Sequence, residues 1–173
     1  RRYTFERAYV HDSTLYATGG SFQIRFPGLI DAIDARLERM SIEAKVVQDP
    51  APEMGAGGGF YLEDGKIGGA IIRDTLFESL NVAAQDCQCM GENFELFTYN
   101  ADHDRWDCGL KGVDGMDCSE ATVECRALSE SSICEGLQLI SANPDVDVDG
   151  EKAFSVGLTF ESVPVQIMGI HDW

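Results

Sequence analysis

Six cysteines constrain this chain more than any other feature. Cys87, Cys89, Cys108, Cys118, Cys125 and Cys134 crowd the middle of a 173-residue sequence that has no others. An even number at irregular spacing is the pattern of a disulfide framework, and disulfides persist outside the cell or in the bacterial periplasm. A structural zinc site is the competing reading. It calls for ligands in close pairs such as C-x-x-C, which deliver two sulfurs to one tetrahedral ion. Here the only close pair is Cys87-Gln88-Cys89, and His103 is the one histidine within the cluster. Three disulfides are therefore expected. A Cys87–Cys89 bond would close a strained ring, so these two should reach different partners, with the remaining pairings open. Residues 100–118 are rich in Gly and Asp and look too polar to hold themselves by packing. Cross-links there would remove about 2–4 kcal/mol each of unfolded-chain entropy.

The rest of the chain is ordinary in apolar content, 44%, and long enough to bury a core. One domain over residues 1–173 is expected, with a cysteine-rich insert at about 85–135. Thirty acidic against thirteen basic side chains leave a net charge of −17. So strong a polyanion repels phosphate backbones and anionic lipid, which argues against nucleic-acid binding. No apolar run approaches the ~18 residues of a membrane-spanning helix. The sequence opens on Arg1-Arg2 with no signal-like segment, so removal of an export segment or anchor is expected. It also lacks an N-x-S/T acceptor, and an oxidised, unglycosylated chain points to a bacterial envelope.

Hydropathy patterning predicts strands over residues 3–10 and 21–26, the latter with Phe22, Ile24 and Phe26 alternating with polar neighbours. His11 to Gly20 reads as a polar turn. Ile30, Ile33, Leu37 and Met40 fall at helical spacing, which predicts an amphipathic helix over 30–40. A strand over 42–48 and a Pro/Gly-rich loop over 49–59 follow. Asp64-Gly65 reads as a hairpin turn between strands 60–63 and 66–72. Asp74 is placed to cap a helix carrying Leu76, Leu80 and Ala83. Further helices are predicted over 119–129 and 132–140, and closing strands over 153–161 and 163–170, with Pro164 marking an edge. The fold class expected is α+β, an antiparallel sheet with packed helices and a disulfide-held helical and loop insert.

The sharpest motif is Asp145-Val146-Asp147-Val148-Asp149-Gly150. Carboxylates at alternate positions before a glycine form the first half of a calcium loop. Asp145, Asp147 and Asp149, with the Glu151 carbonyl, are the candidate Ca2+ ligands. Val156 stands where an EF-hand has its bidentate glutamate, so the motif is a looser acidic turn or a plain surface turn. Asn100-Ala101-Asp102-His103-Asp104 is a weaker echo without the glycine. The run Gly55 to Gly59 lacks the G-K-[ST] of a phosphate loop, and no G-x-S-x-G nucleophile motif is present. His11, His103 and His171 lie in unrelated contexts. No residue stands out as catalytic.

Phe26-Pro27-Gly28-Leu29, the DGKIGGAI segment at 64–71, the cysteines and DVDVDGE running into FSVGLTFESVP together resemble uncharacterised exported lipoproteins of bacteria, over roughly residues 20–168. The resemblance implies a location at the cell envelope and no particular activity. The function expected is therefore that of a secreted or envelope-attached, disulfide-stabilised protein acting by binding or structural assembly. Three readings carry distinct signatures. Capture of a protein or small-molecule ligand would use an apolar cleft beside residues 30–40. A self-assembling surface or filament subunit, a homo-oligomer, would expose a strand such as Tyr3–Val10 to complete a neighbour's sheet. A carboxylate-dependent extracellular hydrolase would hold one carboxyl at a raised pKa in a cleft.

Overall fold

The computed structural model describes residues 5–26, 30–48, 60–110 and 117–162. The predicted loop over 49–59 and the predicted strand over 163–170 lie outside them, as do Pro164 and His171. Nine strands and three α-helices are found among the described residues. The strands are β1 (Arg7–His11), β2 (Thr14–Thr18), β3 (Phe22–Phe26), β4 (Ile30–Gln48), β5 (Phe60–Ile72), β6 (Phe97–Asn100), β7 (Arg105–Cys108), β8 (Val146–Val148) and β9 (Glu151–Phe160). The helices are α1 (Arg73–Gln85), α2 (Val123–Leu128) and α3 (Ser131–Ser141), with one 3₁₀ turn at Gln88–Met90. The larger sheet runs in the order β1-β2-β4-β5-β9-β8, with β3 also on β4; β6 and β7 form a separate hairpin. The coarse α+β class with an antiparallel sheet holds.

The chain forms two compact units. The first comprises Arg1–Ser21, Arg39–Gly69 and Val156–Trp173; the second comprises Phe22–Glu38 and Ala70–Ser155.

In the first unit, β1 and β2 form a hairpin in which His11 faces Thr14 and Tyr9 faces Tyr16. The predicted polar turn over 11–20 is thus mostly strand. Its turn is only Asp12-Ser13, both at positive φ (47° and 60°), the backbone of the two-residue hairpin that suits strand twist. No glycine marks it, which hid the hairpin from the sequence. β2 pairs antiparallel with β4, Tyr16 opposite Glu43 and Thr18 opposite Ser41.

The predicted helix over 30–40 is wrong: these residues belong to the 19-residue strand β4. The cause is local. Arg39 has φ of 50°, and Met40 exchanges hydrogen bonds with two successive residues, receiving one from Gly19 N and giving one to Gly20 O. Two residues opposing one is a bulge, which interrupts strict alternation. Leu37 and Met40 are consequently both buried at a three-residue spacing, the spacing that imitates a helix. The predicted Asp64-Gly65 hairpin fails in the same way. Asp64 takes φ of 51°, but β5 continues through it from Phe60 to Ile72. A Cβ on Gly65 would lie 2.5 Å from the Phe160 ring, so glycine here lets an aromatic cover the backbone.

The second unit holds most of the buried side chains. Among the described residues, only Ala17, Met40 and Ala44 of the buried apolar residues belong to the first unit. The core of the second is built on α1, whose buried Arg73, Phe77, Leu80 and Ala84 recur at helical spacing. Phe77 meets Phe97 edge-on at 4.8 Å and stacks on Trp106 at 5.6 Å. Asn81 bonds both backbone groups of Phe97, giving from Nδ2 to the carbonyl and accepting from the amide, each at 2.7 Å. Residues 100–110 are therefore not held by cross-links alone, because Trp106 anchors their hairpin in an aromatic core. Asp74 is not the cap of α1; Ile72 holds that position without a side-chain bond, and Asp74 lies in the first turn.

The three disulfides join Cys87 to Cys125, Cys89 to Cys118 and Cys108 to Cys134. Cys87 and Cys89 reach different partners, as the ring argument required. All three lie in the second unit. α3 docks on β7 through Cys134 and two polar side chains: Gln138 Oε1 accepts from Cys108 N at 3.0 Å, and the fully buried Ser141 Oγ accepts from Trp106 N at 3.0 Å. Three disulfides favour an oxidising compartment, and no helix among the described residues is long and apolar enough to cross a membrane.

Candidate functional site

Strand alternation decides what each face of the first unit presents. Leu15, Ala17, Ile42 and Ala44 share one face by register, and Ala17 and Ala44 are buried. Tyr16, Thr18, Ser41 and Glu43 share the other. On this outward face a groove of about 420 Å³ crosses β2, β4, β5 and β9, within the size range of small-ligand sites. Gly68 and Gly157 contribute to its lining, with Lys66 and Thr159 beside them. A Cβ on Gly157 would meet no atom within 4 Å, so the lack of a side chain there leaves open space.

The chemistry of the groove is unspent. Among the described residues, Thr18, Ser41, Glu43, Lys66 and Thr159 have no side-chain hydrogen bond or ion pair. Their neighbours differ: Lys45 Nζ contacts Glu63 Oε2 at 3.4 Å, and Tyr61 Oη gives a hydrogen bond to Glu63 Oε1 at 3.0 Å. Tyr9 of β1 stacks on Tyr16 with centroids 5.4 Å apart and planes 25° from parallel. Since β2 lies between β1 and β4, Tyr9 covers the β1 side of the Tyr16 ring. Tyr16 itself is among the residues that line the groove.

In the second unit the polar groups around Arg73 are engaged with one another. The Arg73 guanidinium, 2% exposed, bonds Asp74 Oδ1 at 2.8 Å, the Asp104 carbonyl at 2.9 Å and Asp104 Oδ1 at 3.1 Å. Lys152 pairs with Asp104, and Tyr99 Oη gives Asp104 Oδ1 a bond at 2.9 Å. Trp106 Nε1 gives a bond to Asp74 Oδ1 at 2.9 Å. Burial acts to raise the pKa of Asp74, but the bonds from Arg73 and Trp106 outweigh it and hold the carboxyl below its ordinary value. Asn100 Oδ1 accepts from the amides of Asp102 and His103. The Asn100–Asp104 segment is thus a turn tied to α1 by Arg73 and to β9 by Lys152. His103 is exposed on it, and His11 is exposed on the Asp12-Ser13 turn.

Asp145, Asp147, Asp149 and Glu151 fall on the β8–β9 hairpin. Asp149 and Gly150, with φ of 57° and 92°, make its two-residue turn. Asp147 Oδ1 accepts from Gly150 N at 2.8 Å. Asp145 accepts from Ser155 through both the amide, at 2.8 Å, and the hydroxyl, and those bonds hold its carboxyl below the usual range. Among the described residues, no three His, Cys, Asp or Glu side chains gather as a metal site. Among the described residues each carboxyl with a clear shift, at Asp74, Asp107, Asp117 and Asp145, is lowered rather than raised.

Sequence reasoning missed the groove because three of its four strands were misdivided. The signal was present in Thr14-Leu15-Tyr16-Ala17-Thr18, where polar and apolar residues alternate immediately after Asp12-Ser13. No protein-family model matches the chain, and no curated protein or solved structure matches it either.

Proposed function

We propose that this is a non-catalytic ligand-binding protein of the cell exterior or bacterial envelope, using the outward groove of its first unit. The observation that carries the reading is the contrast in polar bookkeeping. Five exposed hydrogen-bonding side chains line a glycine-opened hollow and make no side-chain bond to another described residue, so a ligand there can replace their water with its own polar groups without breaking a contact of the fold. A groove that keeps donors, acceptors and an aromatic face available is suited to hold a small molecule. Among the described residues Glu43 is the only carboxylate that lines it, with no histidine or cysteine. Hydrolysis by a carboxylate pair needs two such groups on opposite sides of the bond, so capture is favoured over turnover.

Gly157 supplies the test. Its φ is unstrained for other residues and its Cβ would enter empty space, so Gly157→Leu should fill the groove and leave the fold intact. A saturation-transfer NMR screen of oxidised full-length protein should find small molecules that bind the wild type and lose binding to Gly157→Leu at unchanged Tm. Ligands that bind both proteins equally would place recognition elsewhere.

Assembly is the second reading, favoured by one observation. β1 ends the strand order, and every residue of it is exposed, Tyr9 and Val10 each at 59%. Such an edge can accept a further strand. Light scattering decides it: a particle of one 18.9 kDa chain leaves capture alone, and a large particle lost on Val10→Lys makes β1 a subunit contact.

A further inference from the structure

Resting on the reading of the groove as a binding site, we infer that its ligand is a neutral saccharide whose ring stacks on the open face of Tyr16. Three features of the groove converge on that chemistry. The first is the platform. Tyr9 covers one face of the Tyr16 ring in a near-parallel stack, and Tyr16 lines the groove, so the uncovered face is the platform assigned to the ligand. The C–H face of a pyranose is weakly apolar and slightly electropositive, and the π face of tyrosine is electronegative. A sugar ring can therefore lie on it and lose little hydration.

The second is the distribution of polar groups. Glu43 faces Tyr16 directly across the β2–β4 pair, with Ser41 opposite Thr18 two residues along. A ring stacked on Tyr16 would project its equatorial hydroxyls towards these groups and towards Lys66 and Thr159 across the floor. Carboxylate, ammonium and hydroxyls together offer acceptors, donors and groups that do both, matched to hydroxyls that each give one bond and accept others. A ligand that covered these groups without bonding them would leave them unpaired, at a cost of about 1–3 kcal/mol each, while Ile42, Ile67 and Leu158 give the same groove an apolar part for the ring's C–H face.

The third is charge. Glu43 and Lys66 balance within the groove, while the chain as a whole carries −17. The local balance gives no net attraction to an ion of either sign, and the surrounding field repels sugar acids, sulfated glycans and nucleotides. Gly68 and Gly157 complete the fit. A Cβ on Gly68 would reach within 3.0 Å of Ser41 Oγ, and one on Gly157 would occupy the hollow, so both glycines keep the floor low enough for a ring.

The experiment is a set of 15N–1H NMR titrations of the oxidised full chain with maltotriose, cellotriose, chitotriose and mannotriose, alongside an apolar and aromatic fragment mixture. At least one trisaccharide should shift the amides of Tyr16, Ser41, Gly68 and Gly157 together. Tyr16→Ala should weaken that binding about tenfold, the worth of one good aromatic contact, and Tyr16→Phe should keep it. Fragments that shift the same amides when no trisaccharide does would overturn the saccharide and leave the groove as a site for another class. Silence from both sets would overturn the saccharide and the groove together. Trisaccharide shifts that survive Tyr16→Ala unchanged would overturn the stacking.

Discussion

The two units differ in how they use polar groups. In the second, Arg73 is buried with both of its acidic neighbours bound to it, Ser141 and Gln138 replace missing backbone partners of β7, and three disulfides close the loops around them. In the first, no disulfide is formed, the buried apolar residues described are few, and the outward face carries side chains with no internal partner. Satisfied polar networks rigidify a fold but have nothing left to offer a ligand. Hydrated ones on an accessible face add little to stability and can exchange their water for a ligand. The lesson is a division of labour within one small chain: covalent and ionic resources sit where order is needed, and open chemistry sits elsewhere.

That contrast can be broken most directly in the aromatic core. Phe77→Ala should cost about 4 kcal/mol in urea denaturation, because it empties the space between Phe97 and Trp106. Tyr9→Ala, at an exposed position of the first unit, should stay within about 0.5 kcal/mol. Similar losses from both would erase the distinction. Next in size is the covalent tie of α3 to β7. The double variant Cys108→Ser/Cys134→Ser should lose about 3 kcal/mol, read by the same denaturation, with the second unit loosening first.

A smaller effect comes from acid. Since the folded pKa of Asp74 lies below its ordinary value of 3.8, its carboxylate stabilises the fold above that pH. The contribution falls away as pH drops below about 4, when the Arg73 bond is lost. Asp74→Asn should flatten the acid limb of a Tm-against-pH curve; an unchanged limb would mean that the Arg73 network carries no linked stability. The smallest effect expected is from calcium. The carboxylates of Asp145 and Asp147 already bond Ser155 and Gly150, so chelator should leave Tm unchanged. A calcium-dependent rise in Tm, lost in Asp147→Asn, would instead make Asp145, Asp147, Asp149 and Glu151 a cation site.

The sequence was most legible where periodicity and covalent constraint act alone. α1 and α3 follow from helical spacing, β9 from alternation, and the outward reach of Cys87 and Cys89 from ring strain. It was least legible where the backbone leaves its regular path within or between strands. Arg39 and Asp64 each take positive φ inside a strand; the first spaced Leu37 and Met40 like a helix, and at the second the Asp64-Gly65 pair carries a hairpin's turn signal within the continuous strand β5. Asp12-Ser13 did the opposite, hiding a true hairpin behind residues that propensity alone reads as a polar loop. The groove depended on these same three places, since its strands and their facing were set by them. Asp149-Gly150 shows a fourth kind of ambiguity: the D-x-D-x-D-G pattern that suits calcium is also a hairpin turn whose carboxylates bond their own backbone.

The division of labour is tested most directly by native-state hydrogen exchange on the oxidised full chain, resolved by residue. We expect the slowest amides in α1, β6, β7 and α3, exchanging through global unfolding, and faster exchange in β1 and β2 through local opening. Equal protection throughout, or slowest exchange in β1 and β2, would contradict it.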